Sequence, residues 1–218
     1  MGVVFRALNV VKRFGPTVAL DGVSVEFGSG LNLLLGPNGS GKSTLLKLWC
    51  GLIRPARGRA EVFGLDPWAR RVDVMRRVSA FFEDVPAPWW LSGEEFLRVV
   101  DKIITEKVRS GRIVVVATHI LTGVERLAKG FAILHNGRVV ARYPGEAVEV
   151  PTVVECSSRD ASRIVEEAQK LNPSKIVVSQ SAIYIHTTST QQASSLVERF
   201  GCVAYPDIAT MYSEVVKV

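Results

Sequence analysis

The sequence predicts an α/β protein with a second, smaller α+β unit toward its C-terminal end, and three observations predict it. A short apolar run, Leu31-Asn32-Leu33-Leu34-Leu35, enters a glycine-rich loop that opens an apolar helix, the strand–loop–helix succession of an α/β core. Apolar segments of strand length then alternate with helical patterns as far as residue 141. After Pro151 the patterns follow in the order β-α-β-β-α-β, that of a ferredoxin-like unit.

Residues 3–10 and 22–27 are apolar enough for two strands, with Arg13-Phe14-Gly15-Pro16 as a turn between them, which makes an antiparallel N-terminal β subdomain. Residues 31–35 form the next strand and residues 44–49 a helix start. Residues 57–64 read as a strand closed by Gly64, residues 73–77 as a short helix and residues 78–82 as a strand. Pro86 and Pro88 break the chain before Trp89-Trp90, a pair suited to a buried or docking surface. Residues 93–106 are helical in pattern. Leu91-Ser92-Gly93-Glu94-Glu95 at their start reads as an N-cap followed by first-turn acids. Ile113-Val114-Val115-Val116-Ala117 is wholly apolar, as buried parallel strands are. Residues 131–134 and 138–141 flank His135-Asn136-Gly137, a hairpin with an Asn-Gly turn. Pro144 and Pro151 bracket a domain boundary, giving domains at 1–148 and 152–218. In the second domain, residues 152–156, 175–179, 182–187 and 202–205 read as strands and residues 161–171 and 191–200 as helices. Alternation in residues 183–187 puts Ile183 and Ile185 toward the helices and leaves Tyr184 and His186 on an open face.

The loop between the third strand and its helix carries the chemistry. Gly36-Pro37-Asn38-Gly39-Ser40-Gly41-Lys42-Ser43-Thr44 fits G-x-x-x-x-G-K-[ST], the phosphate-cradling P-loop, in the strand-to-helix setting that the motif requires. The glycines let successive backbone N–H groups point into one concavity, and the helix N-terminus adds partial positive charge there. Lys42 is expected on the β- and γ-phosphates and the Ser43 hydroxyl on Mg²⁺. The fold class is therefore a P-loop NTPase core with an N-terminal antiparallel β subdomain and a C-terminal ferredoxin-like domain.

Composition narrows the partners. The net charge of +6 divides into +7 over residues 1–150 and −1 over residues 151–218. Arg54, Arg57, Arg59, Arg70, Arg71, Arg76 and Arg77 cluster after the P-loop helix. Without aromatic interleaving or a nucleic-acid motif, they read as a solvated face with ion pairs, and nucleic acid is not the expected partner. No apolar run reaches membrane-spanning length and no signal peptide precedes the first strand, so any membrane role is expected to run through a partner. Cys50, Cys156 and Cys202 are scattered, odd in number and in apolar settings, which predicts buried free thiols and a reducing cytoplasm.

Several segments together resemble the nucleotide-binding subunit of ABC transporters over residues 3–148. These are Arg13-Phe14-Gly15 with Ala19-Leu20-Asp21-Gly22-Val23-Ser24, the P-loop, Gly51-Leu52-Ile53-Arg54-Pro55 with Gly58 and Phe63-Gly64, and Val139-Val140 after the Asn-Gly turn. The resemblance implies that Phe14 stacks on adenine and that ATP and Mg²⁺ are the cofactors. It also implies a cytoplasmic protein held at the inner face of the membrane by a transmembrane subunit, working with a second nucleotide-binding subunit. Ala117-Thr118-His119 resembles the family's switch histidine, which makes His119 a catalytic candidate that could bond the γ-phosphate and attacking water. Glu83 stands where the family has a magnesium-contacting glutamine, and a carboxylate is a suitable hard-metal ligand.

The sequence departs from the family between Val99-Val100-Asp101 and Gly111-Arg112. The family has there a helical subdomain, a Leu-Ser-Gly-Gly-Gln signature loop and an apolar strand ending in Asp-Glu, and this sequence has none of them. The expected activity is ATPase by resemblance, with little turnover from this chain alone. A rival placement takes Phe81-Phe82-Glu83-Asp84 as a degenerate Asp-Glu strand, which would make a different P-loop ATPase or a kinase. A nucleotide-dependent nucleic-acid module is the other alternative. No Asn-Lys-x-Asp motif supports a GTPase.

Overall fold

The structure, a computed structural model, describes residues 4–80, 92–119, 127–143, 151–188 and 190–216. The chain divides into two compact units, Met1–Pro144 and Gly145–Val218.

The first unit contains two sheets. β1 (Phe5–Phe14) pairs antiparallel with β2 (Thr17–Phe27) and with β4 (Arg57–Val62), giving the order β2-β1-β4. This hairpin is longer than the residues read from sequence, because pairing runs on through polar positions to Phe14 opposite Thr17. The second sheet has the order β5-β3-β6-β7, formed by β3 (Leu31–Leu35), β5 (Val114–Thr118), β6 (Ala128–His135) and β7 (Arg138–Tyr143). β5 and β6 flank β3 in parallel, and β7 closes the sheet antiparallel to β6. All five residues of β3 are buried. At roughly 1.5–3 kcal/mol for each leucine removed from water, this strand anchors the core.

α1 (Lys42–Trp49) packs Leu45, Leu48 and Trp49 against both sheets' apolar residues, including Val10, Phe27, Leu34 and Leu134. The Trp49 indole N–H donates to the Arg6 carbonyl at 3.0 Å, satisfying its buried polar end. α2 is the short helix Arg71–Met75, two residues earlier than the pattern indicated. Residues 78–80 carry no strand, and the remainder of that expected strand, with Glu83 and Trp89-Trp90, lies outside the described residues. α3 (Gly93–Arg109) begins with a capping box. Ser92 Oγ accepts from the Glu95 N–H at 3.2 Å, and Glu95 Oε2 accepts from the Ser92 N–H at 2.8 Å.

β5 differs from expectation. Its apolar sequence predicts burial on both faces, yet all five residues are only half-buried. Among the described residues β5 pairs with β3 alone and stands at the end of the sheet order.

The second unit runs β8 (Thr152–Ser157), a 3₁₀ turn, α4 (Ala161–Gln169), β9 (Lys175–Val178), β10 (Ala182–Thr187), α5 (Thr190–Phe200), β11 (Val203–Pro206) and α6 (Ile208–Val215). Its sheet order is β11-β8-β10-β9, and every neighbouring pair is antiparallel. Ile183 and Ile185 are fully buried with Ile164, Ala168, Ala193 and Leu196 of the helices. Tyr184 and His186 lie on the other face as read, but both are half-buried and that face is not fully open. α6, which the sequence reading did not include, begins at Asp207, whose Oδ2 lies 2.6 Å from His186 Nδ1.

The cysteines require a further correction. Cys50 is a buried free thiol, but Cys156 and Cys202 form a disulfide. Val203 pairs with Glu155, so the next antiparallel positions outward are 202 and 156. Forty-six residues of sequence separate the two thiols, and only the β8–β11 pairing reveals that they are neighbours.

Candidate nucleotide-binding site

The site gathers at one edge of the parallel sheet. Leu35 of β3 is in register with Thr118 of β5 and with Ile133 of β6. The chain therefore leaves all three parallel strands at the same edge, into Gly36, His119 and the Asn136-Gly137 turn respectively. Strand C-terminal ends are where ligands meet open α/β sheets.

The P-loop is held tightly against this edge. Gly36 has φ +148°, and a Cβ there would lie 2.2 Å from the Leu134 carbonyl oxygen. Gly41 has φ +106°, and a Cβ there would lie 2.6 Å from the Ala19 carbonyl oxygen of β2. Both positions demand glycine on conformation and on space. The Gly137 N–H donates to the Ser40 carbonyl at 3.1 Å, and the Asp21 N–H donates to the Gly137 carbonyl at 2.8 Å. Arg138 then clamps Asp21 through two bonds of 2.6 and 3.0 Å. The loop is thus tied to β2 and to the β6–β7 turn. The sequence reading took that turn for a hairpin only, and its role as a brace leaves no mark beyond Asn-Gly.

Lys42, half-buried, donates to the carbonyls of Gly36 at 2.7 Å and Pro37 at 2.9 Å, so its ammonium lies across the loop. Burial pushes its pKa below the ordinary lysine value. Ser43, next to it in the first turn of α1, is exposed, while Thr44 is half-buried. Pro37 is half-buried, and Asn38 and Gly39 are exposed. Ser40 is buried, and its hydroxyl has no hydrogen-bond partner among the described residues.

Phe14 closes β1 opposite Thr17, two residues before the Ala19 carbonyl that borders Gly41. Half of its surface is exposed, with the Lys12 ammonium 5.1 Å from the ring centroid. His119 is exposed at the end of β5. Residues 36–44 and His119 thus follow the same ends of the parallel strands, Phe14 lies on the hairpin whose Ala19 carbonyl borders Gly41, and Glu83 lies outside the described residues. The arginine-rich segment is partly paired: Arg59 meets Glu61 at 3.1 Å, Arg70 meets Asp73 at 2.6 Å, and Arg77 lies 3.6 Å from the centre of the Phe63 ring.

The family model described as ABC transporter matches residues 20–214. The chain belongs to the ABC transporter family. Among curated relatives it is similar to the daunorubicin/doxorubicin resistance ATP-binding protein DrrA of Streptomyces peucetius. The two are 36% identical over 96 residues, which is 44% of this chain and 29% of that protein. It is also similar to a probable branched-chain amino acid transport ATP-binding protein, LivG, of Methanocaldococcus jannaschii. That match is 47% identical over 57 residues, 26% of this chain and 22% of the relative. The chain thus spans less than a third of either relative's length. Among solved structures the fold resembles cbiO1 of Clostridium perfringens, part of the ABC transporter complex cbiONQ. The TM-score is 0.54 at 15% identity, covering 79% of this chain and 95% of that one. An ATP-binding subunit of an ABC transporter gives a TM-score of 0.53 at 20% identity, covering 64% and 89%. These likenesses extend the family's P-loop NTPase fold to this chain. Among the described residues no helix is long and apolar enough to cross a membrane.

Proposed function

We propose that this chain is the ATP-binding subunit of an ABC-type transporter, coupling ATP binding and hydrolysis to transport through a separate transmembrane partner and a second nucleotide-binding subunit. The observation that carries the reading is the braced P-loop, with Lys42 lying across it at the C-terminal edge of the parallel strands. Arriving phosphate oxygens would take over the Lys42 N–H bonds now made to Gly36 and Pro37, exchanging neutral acceptors for charged ones. The loop amides and the start of α1 would hold the remaining phosphate oxygens. Phe14, exposed on the hairpin beside Gly41, offers its ring to the base, and stacking adds roughly 1 kcal/mol beyond burial. His119 would donate a ring N–H to a γ-phosphate oxygen.

The residues present fit Mg²⁺. The described residues hold no cluster of three or more acidic, histidine or cysteine ligands, but Ser43 offers an exposed hydroxyl beside Lys42. Magnesium typically takes one or two protein oxygens together with substrate phosphates and water. Ser43, and Glu83 as a second or indirect contact, are the proposed holders. Bound there, the ion would neutralise phosphate charge.

The test is thermal unfolding with Mg²⁺–ATP for the native chain and for Lys42→Ala. ATP at a hundredfold excess over its Kd stabilises by about 2.7 kcal/mol. The native chain is expected to gain that stabilisation and the variant to lose it. Equal stabilisation of both would refute the site. Parallel titrations with ATP and GTP decide the base preference.

The second domain, residues 152–218, is proposed as an accessory domain without a part in ATP chemistry.

A further inference from the structure

The second unit contains a cleft of about 370 Å³ beside the start of α4 and the end of α5. Its charge is lopsided. Arg159, Arg163 and Arg199 line it against one carboxylate, Asp160. Arg199 is held in place from outside the cleft by Glu167, whose Oε2 lies 2.8 Å from Nη1, and Glu167 is in turn fixed by Lys170 at 2.9 Å. A guanidinium has five N–H donors, so one such bond leaves most of Arg199 available. Arg159 and Arg163 are exposed, and neither makes an ion pair within 4 Å among the described residues, although the Glu167 carboxylate also attracts Arg163. Glu167 offsets part of the repulsion among the three cations from outside the cleft, and an anion inside it would offset more. The lining also includes the hydroxyl-bearing Ser157, the buried Ile164, and Phe200, whose ring centroid lies 5.9 Å from the Arg199 guanidinium carbon. The volume falls at the lower end of small-molecule sites, and the lining is mostly polar and basic, as suits an anion with a small apolar part. The cleft has no nucleophile–base pair, so its chemistry is recognition.

We propose that this cleft binds a small soluble phosphomonoester, its phosphate held by Arg159 and Arg163 with Arg199 as the fixed third cation, and its planar or apolar part resting on Phe200 and Ile164. Arginine's planar fork suits phosphate oxygens, and charge-assisted bonds are the strong class.

The test uses the full chain carrying Lys42→Ala, so that the P-loop does not supply the anion site. Phenyl phosphate, inorganic phosphate and phosphatidylglycerol vesicles are titrated separately by calorimetry. Phenyl phosphate is expected to bind, and to bind several-fold more tightly than inorganic phosphate. Its affinity is expected to fall at least tenfold in Arg159→Gln/Arg163→Gln. Both positions are exposed, so this variant should keep the native melting curve. Restoring charge with Arg159→Lys/Arg163→Lys should recover part of the affinity. No binding of phenyl phosphate at millimolar concentration, equal affinity in the glutamine variant, or binding to vesicles alone would each overturn the proposal. The nucleotide reading is unaffected by any of these results, since it is decided with ATP at Lys42.

Discussion

A methyl group added at Gly36 would lie 2.2 Å from the Leu134 carbonyl oxygen and 2.6 Å from Ser40 Oγ. No flexible side-chain tip stands at the closer contact, so backbone has to move, and φ +148° disfavours any L-residue. Gly36→Ala is therefore expected to abolish ATP-dependent stabilisation and to cost about 1–3 kcal/mol of stability in urea unfolding. Gly64, with φ +74° and nothing within 4 Å of an added Cβ, is the control, and its alanine variant should keep the ATP response. In the second unit Asp207 is a buried carboxyl whose bonds link folding to pH. Burial raises its pKa, but bonds from His186 and from the Thr210 N–H and hydroxyl outweigh that and hold the carboxyl below its ordinary range. The unfolded chain then binds the proton more readily, so this stability is fully present above the usual carboxylate range. It is lost as pH falls through the lowered folded value. Melting temperatures taken from pH 6 down to pH 2 should show a decline that Asp207→Asn makes shallower. An unchanged slope in Asp207→Asn would refute the assignment. The P-loop was legible in sequence because its backbone demands a particular residue at each turn. The Asp207 network was not, because its partners are 21 residues apart in the chain.

At the scale of elements, local chemistry travelled well. The capping box at Ser92 and Glu95 is complete within four residues, and Ser92 opens a helix as its spacing indicates. The inward parity of Ile183 and Ile185 follows from strand alternation alone. Pairing did not travel. β5 reads as a central strand by composition and is half-buried at the end of the sheet order among the described residues, since which strands lie beside it is not written in its own residues. The Cys156–Cys202 bond likewise depends on β8 lying against β11. Closing a loop of this length restricts the unfolded chain by about 4 kcal/mol on chain-entropy grounds. Reduction, or Cys156→Ser, is therefore expected to lower the second unit's unfolding free energy in urea by an amount of that order, seen as a lower midpoint. Both thiols are buried, so reduction of the folded chain should be slow. A midpoint unchanged by reductant would show that the bond contributes nothing.

For the molecule as a whole, ATP binding and turnover are expected to part company. Hydrolysis needs groups that orient water and neutralise the γ-phosphate, and the sequence has neither the Leu-Ser-Gly-Gly-Gln loop nor an apolar strand ending in Asp-Glu. The purified chain should bind Mg²⁺–ATP while releasing phosphate near background. Sustained release that Lys42→Ala abolishes would contradict this. The sequence by itself determined the glycine-rich loop between β3 and α1, the alternation of strands and helices, and the β-α-β-β-α-β order of the second unit. Each of these rests on interactions between residues close in the chain: a loop's φ angles, a strand's two faces, a helix's cap. Tertiary structure alone decided that the P-loop is braced by Gly137 and Asp21, that β3 lies between β5 and β6, that two of three cysteines are joined, and that three arginines share a cleft. Those outcomes depend on which distant segments are brought together when apolar surface leaves water, and no window of sequence contains both partners.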